Sequence, residues 1–263
     1  MNCGGAEEAH RNQDNEMKSL NRPIFRKPDA PAAASAAPRN GAVAFTLIEL
    51  LTVISIIGVL AAIGAGLAGV ASRKAKESTI RAQKDQLGAA IESYRTDFNQ
   101  YPPDNSLNGV NVNPALNPLF YELTGTIASQ QGMYYRSADR EQRLPSAQLQ
   151  PALGVQGFVN STEAPQRPKT FLTGLKANQH QEIPLTSSAG SLTVEVLVIP
   201  YPWPKKEAAT APLAGRVNTS ASADKRFANP WRYVCTKPTN NVAAYDLWAE
   251  AYIGGKRVTI ANW

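Results

Sequence analysis

The sequence Phe45-Thr46-Leu47-Ile48-Glu49-Leu50-Leu51 opens a long apolar stretch and decides how the rest of the chain is interpreted. From Leu50 to Ala71 the chain carries no charge for 22 residues, a length that crosses a bilayer as a single helix. Glu49 is the one carboxylate at the start of this run. Because an isolated acid is costly in hydrocarbon, Glu49 predicts a binding partner and a function.

The block Ala44-Phe45-Thr46-Leu47-Ile48-Glu49 resembles the processing site of type IV prepilins and type II secretion pseudopilins. In that family a peptidase cuts before the Phe and methylates the new amine, and the protein joins a helical filament. The resemblance therefore implies cleavage between Ala44 and Phe45, N-methylation of Phe45, and a role for Phe45 and Glu49 in assembly. The residue before the Phe is usually Gly in the family, whereas it is Ala44 here.

Composition divides the chain into four segments. Residues 1–44 are polar and then rich in Ala and Pro, so they cannot build a core and are predicted to be a leader that is removed; Met17 offers an alternative start. Residues 45–71 are predicted to form a transmembrane and filament-core helix, and residues 72–100 its amphipathic second half. Residues 101–263 are predicted to form one globular α+β domain, periplasmic or extracellular.

The amphipathic half is predicted from apolar residues that recur at helical spacing. The intervals between them are 7, 4, 3 and 4 residues, which places them on one face of a helix. Pro102 and Pro103 are predicted to end the helix by about Gln100. The apolar residues are Ile80, Leu87, Ile91, Tyr94 and Phe98.

The globular part is predicted to contain a short helix within 113–125, long loops over 137–190, and strands that follow. Gly254-Gly255 predicts a two-residue hairpin turn, because Gly tolerates positive φ at both central positions. The predicted strands cover 192–199, 229–234, 245–253 and 256–260. The predicted fold class is therefore α+β and pilin-like, with a long N-terminal helix, membrane half plus amphipathic half, packed on a C-terminal antiparallel sheet.

The C-terminal part also resembles the major type II pseudopilin, at 229–233 (Asn-Pro-Trp-Arg-Tyr) and 244–248 (Ala-Tyr-Asp-Leu-Trp). In that family a loop after the second segment binds calcium through several oxygens. Asp246 and Glu250 are the calcium candidates here, but Lys256 and Arg257 bring cations where acids are needed. Since calcium takes six to eight oxygen ligands, we expect neither a metal nor another cofactor.

The remaining polar groups predict no enzyme. After Ala44 the chain has one histidine, His180, and one cysteine, Cys235. His180 lies in the polar stretch 178–181 and is interpreted as a solvated side chain, and Cys235 as a small buried apolar residue. No nucleophile elbow, metal-ligand spacing or paired-acid motif accompanies them. An enzyme held by a signal anchor is the alternative from another class.

Charge gives two further expectations. The formal net charge of +6 is interpreted as a mildly basic solvated surface, so nucleic-acid binding is not expected. Five Lys and Arg residues within 73–84 would put the C-terminal domain inside the cell by the positive-inside rule, whereas the family resemblance puts it outside. The resemblance is the more specific of the two signals.

The leading interpretation is a structural subunit of a type II secretion pseudopilus, a filament that drives protein export. The alternative is a type IV pilin for adhesion, motility or DNA uptake. The resemblance implies further copies of the chain, a prepilin peptidase, minor pseudopilins and an inner-membrane assembly platform as partners. It also implies a single-pass protein of the bacterial inner membrane that later joins a filament.

Overall fold

The computed structural model describes residues 45–129, 131–138, 142–187, 190–218 and 223–263, without the side chains of residues 64–68, 111 and 187. The predicted leader, including Met17 and Ala44, lies outside the described residues. The chain divides into two compact units, Met1–Val53 and Ile54–Trp263. The predicted segment boundaries after residues 44, 71 and 100 stay predictions.

The described residues form three α-helices, two 3₁₀ turns and eleven short strands in a mixed α/β arrangement. The helices are α1 (Leu47–Phe98), α2 (Leu119–Thr124) and α3 (Ser146–Leu153), and the 3₁₀ turns cover Lys205–Thr210 and Ala223–Phe227. The strands are β1 (Ser106–Leu107), β2 (Val110–Asn111), β3 (Thr126–Ala128), β4 (Tyr134–Ser137), β5 (Arg143–Pro145), β6 (Ser161–Glu163), β7 (His180–Ser187), β8 (Gly190–Leu197), β9 (Arg232–Val234), β10 (Asp246–Ile253) and β11 (Lys256–Ala261).

The membrane half of the predicted fold class is wrong. Within the part of the chain that the structure describes, no helix is long and apolar enough to cross a membrane. The prediction counted only the absence of charge from Leu50 to Ala71. The structure describes the side chains of residues 50–63 and 69–71 of this run, and the longer of these two stretches has 14 residues, fewer than the about 20 that a spanning helix needs.

The single antiparallel sheet of the predicted fold class is also wrong. The described strands form four sheets, ordered β1-β2, β5-β4-β3-β6, β7-β8 and β11-β10-β9, and β3 pairs with β6 in parallel. The predicted strand at 192–199 corresponds to β8, which pairs with β7. An isolated bridge between Val198 and Pro230 connects the residues after β8 to the segment before β9. Except for β3 and β6, each pair joins strands that are consecutive in the chain, which keeps the sheets small.

The stretch 137–190, predicted as loops, contains β5, α3, β6 and β7. In β7 the buried residues Ile183 and Leu185 alternate with more exposed ones, which is the ordinary pattern of a half-buried strand. Pro184 lies between them and conceals the pattern in the sequence. Pro145 precedes α3 and Pro151 lies inside its last turn, so neither proline prevents the helix.

Two local predictions are confirmed. The short helix within 113–125 is α2, which follows Pro118 and is capped by Gly125, whose N–H donates to the Tyr121 carbonyl. The hairpin turn joins β10 to β11 through Gly254 and Gly255, which have φ values of 61° and 81°. Glycine adopts this left-handed region without the steric cost that a Cβ brings.

The core of the second unit is built on the later part of α1. Ile80, Leu87, Ile91 and Tyr94 are fully buried, in accordance with their helical spacing. Gln83 on the same face donates from Nε2 to the carbonyl of Val198 at 2.9 Å. Around these residues lie the buried side chains of α2, α3, β8 and β10.

Candidate functional site

The first turn of α1 holds Glu49 in a capping box. The Thr46 N–H and hydroxyl donate to Glu49 Oε2 at 2.9 and 2.8 Å, and the Glu49 N–H donates to Thr46 Oγ1 at 3.3 Å. This reciprocal pair satisfies two backbone donors that a helix N-terminus leaves without partners. Phe45, directly before it, is 78% exposed. Ala44, on the other side of the predicted cut, lies outside the described residues.

The part of α1 that follows exposes a large apolar surface. Its side chains are 48–81% exposed, from Val53 to Leu47. At 3.6 residues per turn their positions fall on every side of the helix rather than on one stripe. They are Leu47, Ile48, Leu50, Leu51, Val53, Ile54, Ile56, Ile57, Val59, Leu60 and Ile63. A helix that is apolar on all sides normally lies buried among several neighbours.

Asp246, a predicted calcium candidate, uses its carboxylate to close the loop before β10. Oδ2 accepts hydrogen bonds from the backbone N–H of Thr239 and Asn240, at 2.8 and 2.9 Å, and from Asn240 Nδ2. Oδ1 accepts the N–H of Asn241 at 2.8 Å. The carboxylate therefore faces hydrogen-bond donors, an environment opposite to that of a calcium ligand.

Glu250, the second calcium candidate, forms ion pairs with two arginines. Its Oε2 lies 2.9 Å from Arg232 Nη2, and its Oε1 lies 2.5 Å from Arg257 Nη2. Both guanidinium groups also lie over the buried ring of Trp203, 5.9 and 5.6 Å from its centroid. Burial lowers the pKa of Arg232, and the charge of Glu250 opposes that change. Among the described residues, no group of three or more His, Cys, Asp or Glu side chains could hold a metal ion.

The interpretation of His180 as a solvated side chain is wrong. His180 begins β7, its side chain is 16% exposed, and Nδ1 makes a hydrogen-bonding contact with Oε1 of Glu195 on β8. The Phe120 ring of α2 lies 5.7 Å from the imidazole, between centroids. The sequence around Glu195, Thr-Val-Glu-Val-Leu, contained a signal, because a charge inside a β-branched run needs a partner if both faces are buried.

Glu122 is a buried acid that the sequence interpretation missed. On α2, it is fully buried and accepts hydrogen bonds from the backbone N–H groups of Val159 and Asn160, each at 2.9 Å, and from Tyr94 Oη at 2.9 Å. Burial raises the pKa of Glu122, and these hydrogen bonds oppose part of the change. Its carboxylate thus joins α1, α2 and the segment before β6.

Cys235 lies just after β9, partly buried, beside the buried acid Asp104. Asp104 Oδ2 accepts the N–H groups of Cys235 and Thr236, each at 2.8 Å, and the thiol lies 3.2 Å from the carbonyl of Pro102. Burial raises the pKa of Cys235 to about 11, and the Asp104 charge adds to the rise. The group is a structural thiol that holds the end of β9 against the segment after α1.

Four of the described acids have structural roles within the second unit. Glu122, Asp104, Asp246 and Glu250 are bound by donors of their own unit and stabilise the fold. Glu49, by contrast, lies in an exposed apolar surface, and this makes the start of α1 the candidate functional site. No protein-family model, no curated protein and no solved structure matches the chain.

Proposed function

We propose that the protein is a structural subunit of a type II secretion pseudopilus, which assembles through the start of α1 into a filament that drives protein export. The observation that carries the proposal is the apolar surface from Leu47 to Ile63, exposed on all sides of the helix. One partner helix covers only one face of this surface. Several copies packed around a common axis cover all of it, as in the core of a helical filament.

Glu49 gives this assembly a register. Processing before Phe45 would create an amine one residue before Thr46 and four residues before Glu49, the two residues of the first-turn hydrogen-bond network. A neighbour's amine that meets the Glu49 carboxylate forms an ion pair within apolar surroundings, where two separate charges are costly. Both described hydrogen bonds to the Glu49 side chain end on Oε2, so Oε1 is the atom assigned to the neighbour's amine.

The proposed partners follow from the same interpretation. They are further copies of this chain, a prepilin peptidase, minor pseudopilins and an inner-membrane assembly platform. The proposed location is the bacterial inner membrane, with the globular domain of residues 101–263 in the periplasm, followed by the assembled filament. A role as a type IV pilin stays the alternative, and the segments at 229–233 and 244–248 favour secretion by their resemblance to the major pseudopilin. Neighbouring genes for a secretin or for a retraction ATPase distinguish the two roles.

The test compares Glu49→Ala with wild type in the native host. Mass spectrometry of the N-terminal peptide and electron microscopy of sheared filaments give separate readouts for processing and assembly. Wild type is expected to begin at N-methylated Phe45 and to form filaments, and Glu49→Ala to be processed but to remain unassembled. Glu77→Ala is the matched control, because Glu77 is another acid of α1, paired with Arg81. Normal filaments from Glu49→Ala, or a wild-type chain that retains residues 17–44, would contradict the proposal.

A further inference from the structure

A pocket of about 400 Å³ lies beside the four-stranded sheet β5-β4-β3-β6. Ile127 of β3 and Arg136 of β4 line it from the sheet, and the segment 164–168 after β6 and Thr170 line it from the other side. Pockets of roughly 300–1,000 Å³ are typical of small-molecule sites. The proposed filament function does not use this pocket.

The charge of the pocket is positive and is not offset. Among the described residues that line it, Arg136 and Arg167 are the two that carry a charge. Neither guanidinium group forms an ion pair or a hydrogen bond with a described residue. Glu163 directly precedes the lining residue Ala164, but it pairs with Ala128 in the ladder between β3 and β6. Because side chains alternate along a strand, Glu163 lies on the opposite face of the sheet from Ile127.

Arg143 of β5 supplies an independent observation. It stands directly opposite Arg136 in the antiparallel ladder between β4 and β5, and like charges in this position destabilise a sheet. Its guanidinium group lies over the ring of Tyr134, 4.7 Å from the centroid, and forms no ion pair with the part of the chain that the structure describes. An anion bound at Arg136 would offset this repulsion, so the sheet is more stable with the pocket occupied.

Backbone donors add to the two arginines. The N–H groups of Arg167 and Thr170 donate to no acceptor within the described ranges, and both residues line the pocket. A guanidinium group presents its N–H donors in a planar fork that matches the oxygens of a carboxylate or a phosphate. Two unpaired positive charges favour a ligand with two negative charges, which a phosphate group carries and a single carboxylate does not.

We propose that this pocket binds a dianionic phosphate group, with Arg136 and Arg167 on its oxygens. The apolar lining residues Ile127, Pro165 and Pro168 leave room for a short uncharged stem next to the phosphate. The group belongs either to free inorganic phosphate or to a small phosphomonoester.

The first experiment compares two probes by calorimetric titration into the full chain at about pH 7.5. Methyl phosphate is close to a dianion there, whereas dimethyl phosphate has the same tetrahedral centre with one negative charge. Methyl phosphate is expected to bind at least about tenfold more tightly, and less tightly as ionic strength rises from about 0.1 to about 0.5 M, because salt screens partly exposed charges. Equal affinities for the two probes would overturn the proposal.

Two variants locate the site. Arg136→Gln should weaken methyl phosphate binding about tenfold, and Arg167→Gln, which removes a more exposed charge, about fivefold. Arg226→Gln is the matched control, because Arg226 is an exposed arginine outside the pocket and its replacement changes the net charge equally. This control should bind within about twofold of wild type. Circular dichroism melting checks that each variant is folded. Wild-type affinity in a folded Arg167→Gln chain would refute the site, whatever Arg136→Gln does.

A further pair of probes identifies the source of the phosphate group. Glycerol 3-phosphate carries a longer stem than methyl phosphate, and inorganic phosphate carries none. Comparable binding of the two indicates a phosphomonoester as the natural ligand, whereas binding of inorganic phosphate with loss of glycerol 3-phosphate indicates the free ion. If no phosphate compound binds, the proposal is wrong, and the filament test with Glu49→Ala is unaffected because it reads out a different surface.

Discussion

Tyr94 Oη donates a 2.9 Å hydrogen bond to Glu122 Oε2, and both residues are fully buried. The contact joins α1 to α2 across 28 residues of sequence. Since Val159 and Asn160 donate to the same carboxylate, three donors from two other segments converge on one acid. Replacement of either partner therefore tests how the second unit is held together.

We expect Glu122→Gln to lower the free energy of unfolding by about 2 kcal/mol, because the new amide would face N–H donors and leave a buried donor unsatisfied. Tyr94→Phe should cost less, about 1 kcal/mol, since it removes a single donor. Urea unfolding followed by tryptophan fluorescence measures both values. A Glu122→Gln chain as stable as wild type would show that the carboxylate is not the acceptor described.

The same pair predicts a dependence on pH. Burial raises the pKa of Glu122 in the folded chain above its ordinary value of 4.5. Its contribution to stability is therefore fully present below pH 4.5 and is lost as the pH rises through the higher folded value. The difference in stability between wild type and Glu122→Gln should be largest near pH 4 and smaller near pH 7. A difference that grows with pH would mean that the hydrogen bonds outweigh burial.

Asp246→Asn should loosen the loop 239–245 and lower the free energy of unfolding of the second unit by about 2 kcal/mol. The amide nitrogen of the new Asn would replace an acceptor oxygen, so its N–H groups would face backbone N–H donors of the loop. Asp224→Asn is the control, since Asp224 pairs with Lys205 on the exposed surface. We also expect neither calcium nor a chelator to shift the melting midpoint of wild type. A rise in the midpoint with calcium would show that the Asp246 oxygens serve as metal ligands after all.

Cys235 should react slowly with thiol reagents at neutral pH. Its pKa of about 11 leaves very little thiolate, which is the reactive species. The experiment uses Cys3→Ser, so that Cys235 is the one remaining cysteine. The rate should rise steeply above pH 9, and urea should abolish the protection. Rapid stoichiometric labelling of the folded chain at pH 7 would contradict the burial that raises the pKa.

Glu250→Ala should lower the free energy of unfolding by about 3 kcal/mol, because it leaves the buried guanidinium group of Arg232 without its counter-charge. Arg257→Ala should lower the free energy of unfolding by less than about 1 kcal/mol. The Arg257 side chain is half exposed, so water replaces its contact with Glu250. Thermal unfolding of the two variants gives the comparison. Equal losses would mean that packing on Trp203, which both arginines share, decides the stability.

Sequence reasoning was accurate where the signal is local. Gly254-Gly255 specified its own turn, and Pro118 and Gly125 bounded α2, because backbone restrictions act within a few residues. It failed where the information is distant: β3 pairs with β6 across 34 residues or more, and no local pattern encodes that partner.

The candidate site was predictable in part. Glu49 was found because an acid inside an apolar run is conspicuous, and the same reasoning applied to Glu122 and Glu195 would have found two buried acids. Glu122 was overlooked because it follows Leu119, Phe120 and Tyr121 in a helix of only six residues, where an acid normally points to solvent. His180 was misread because its polar neighbours in sequence are not its neighbours in space.

Two buried polar contacts of α1 with the rest of its unit have a mechanical consequence. Gln83 binds the Val198 carbonyl and Tyr94 binds Glu122, three helical turns apart, with Leu87 and Ile91 buried between them. A pull along the helix axis loads both hydrogen bonds in shear at the same moment, instead of peeling them apart in succession. The two hydrogen bonds therefore share the load, and α1 can slide against the rest of the second unit only after both have broken.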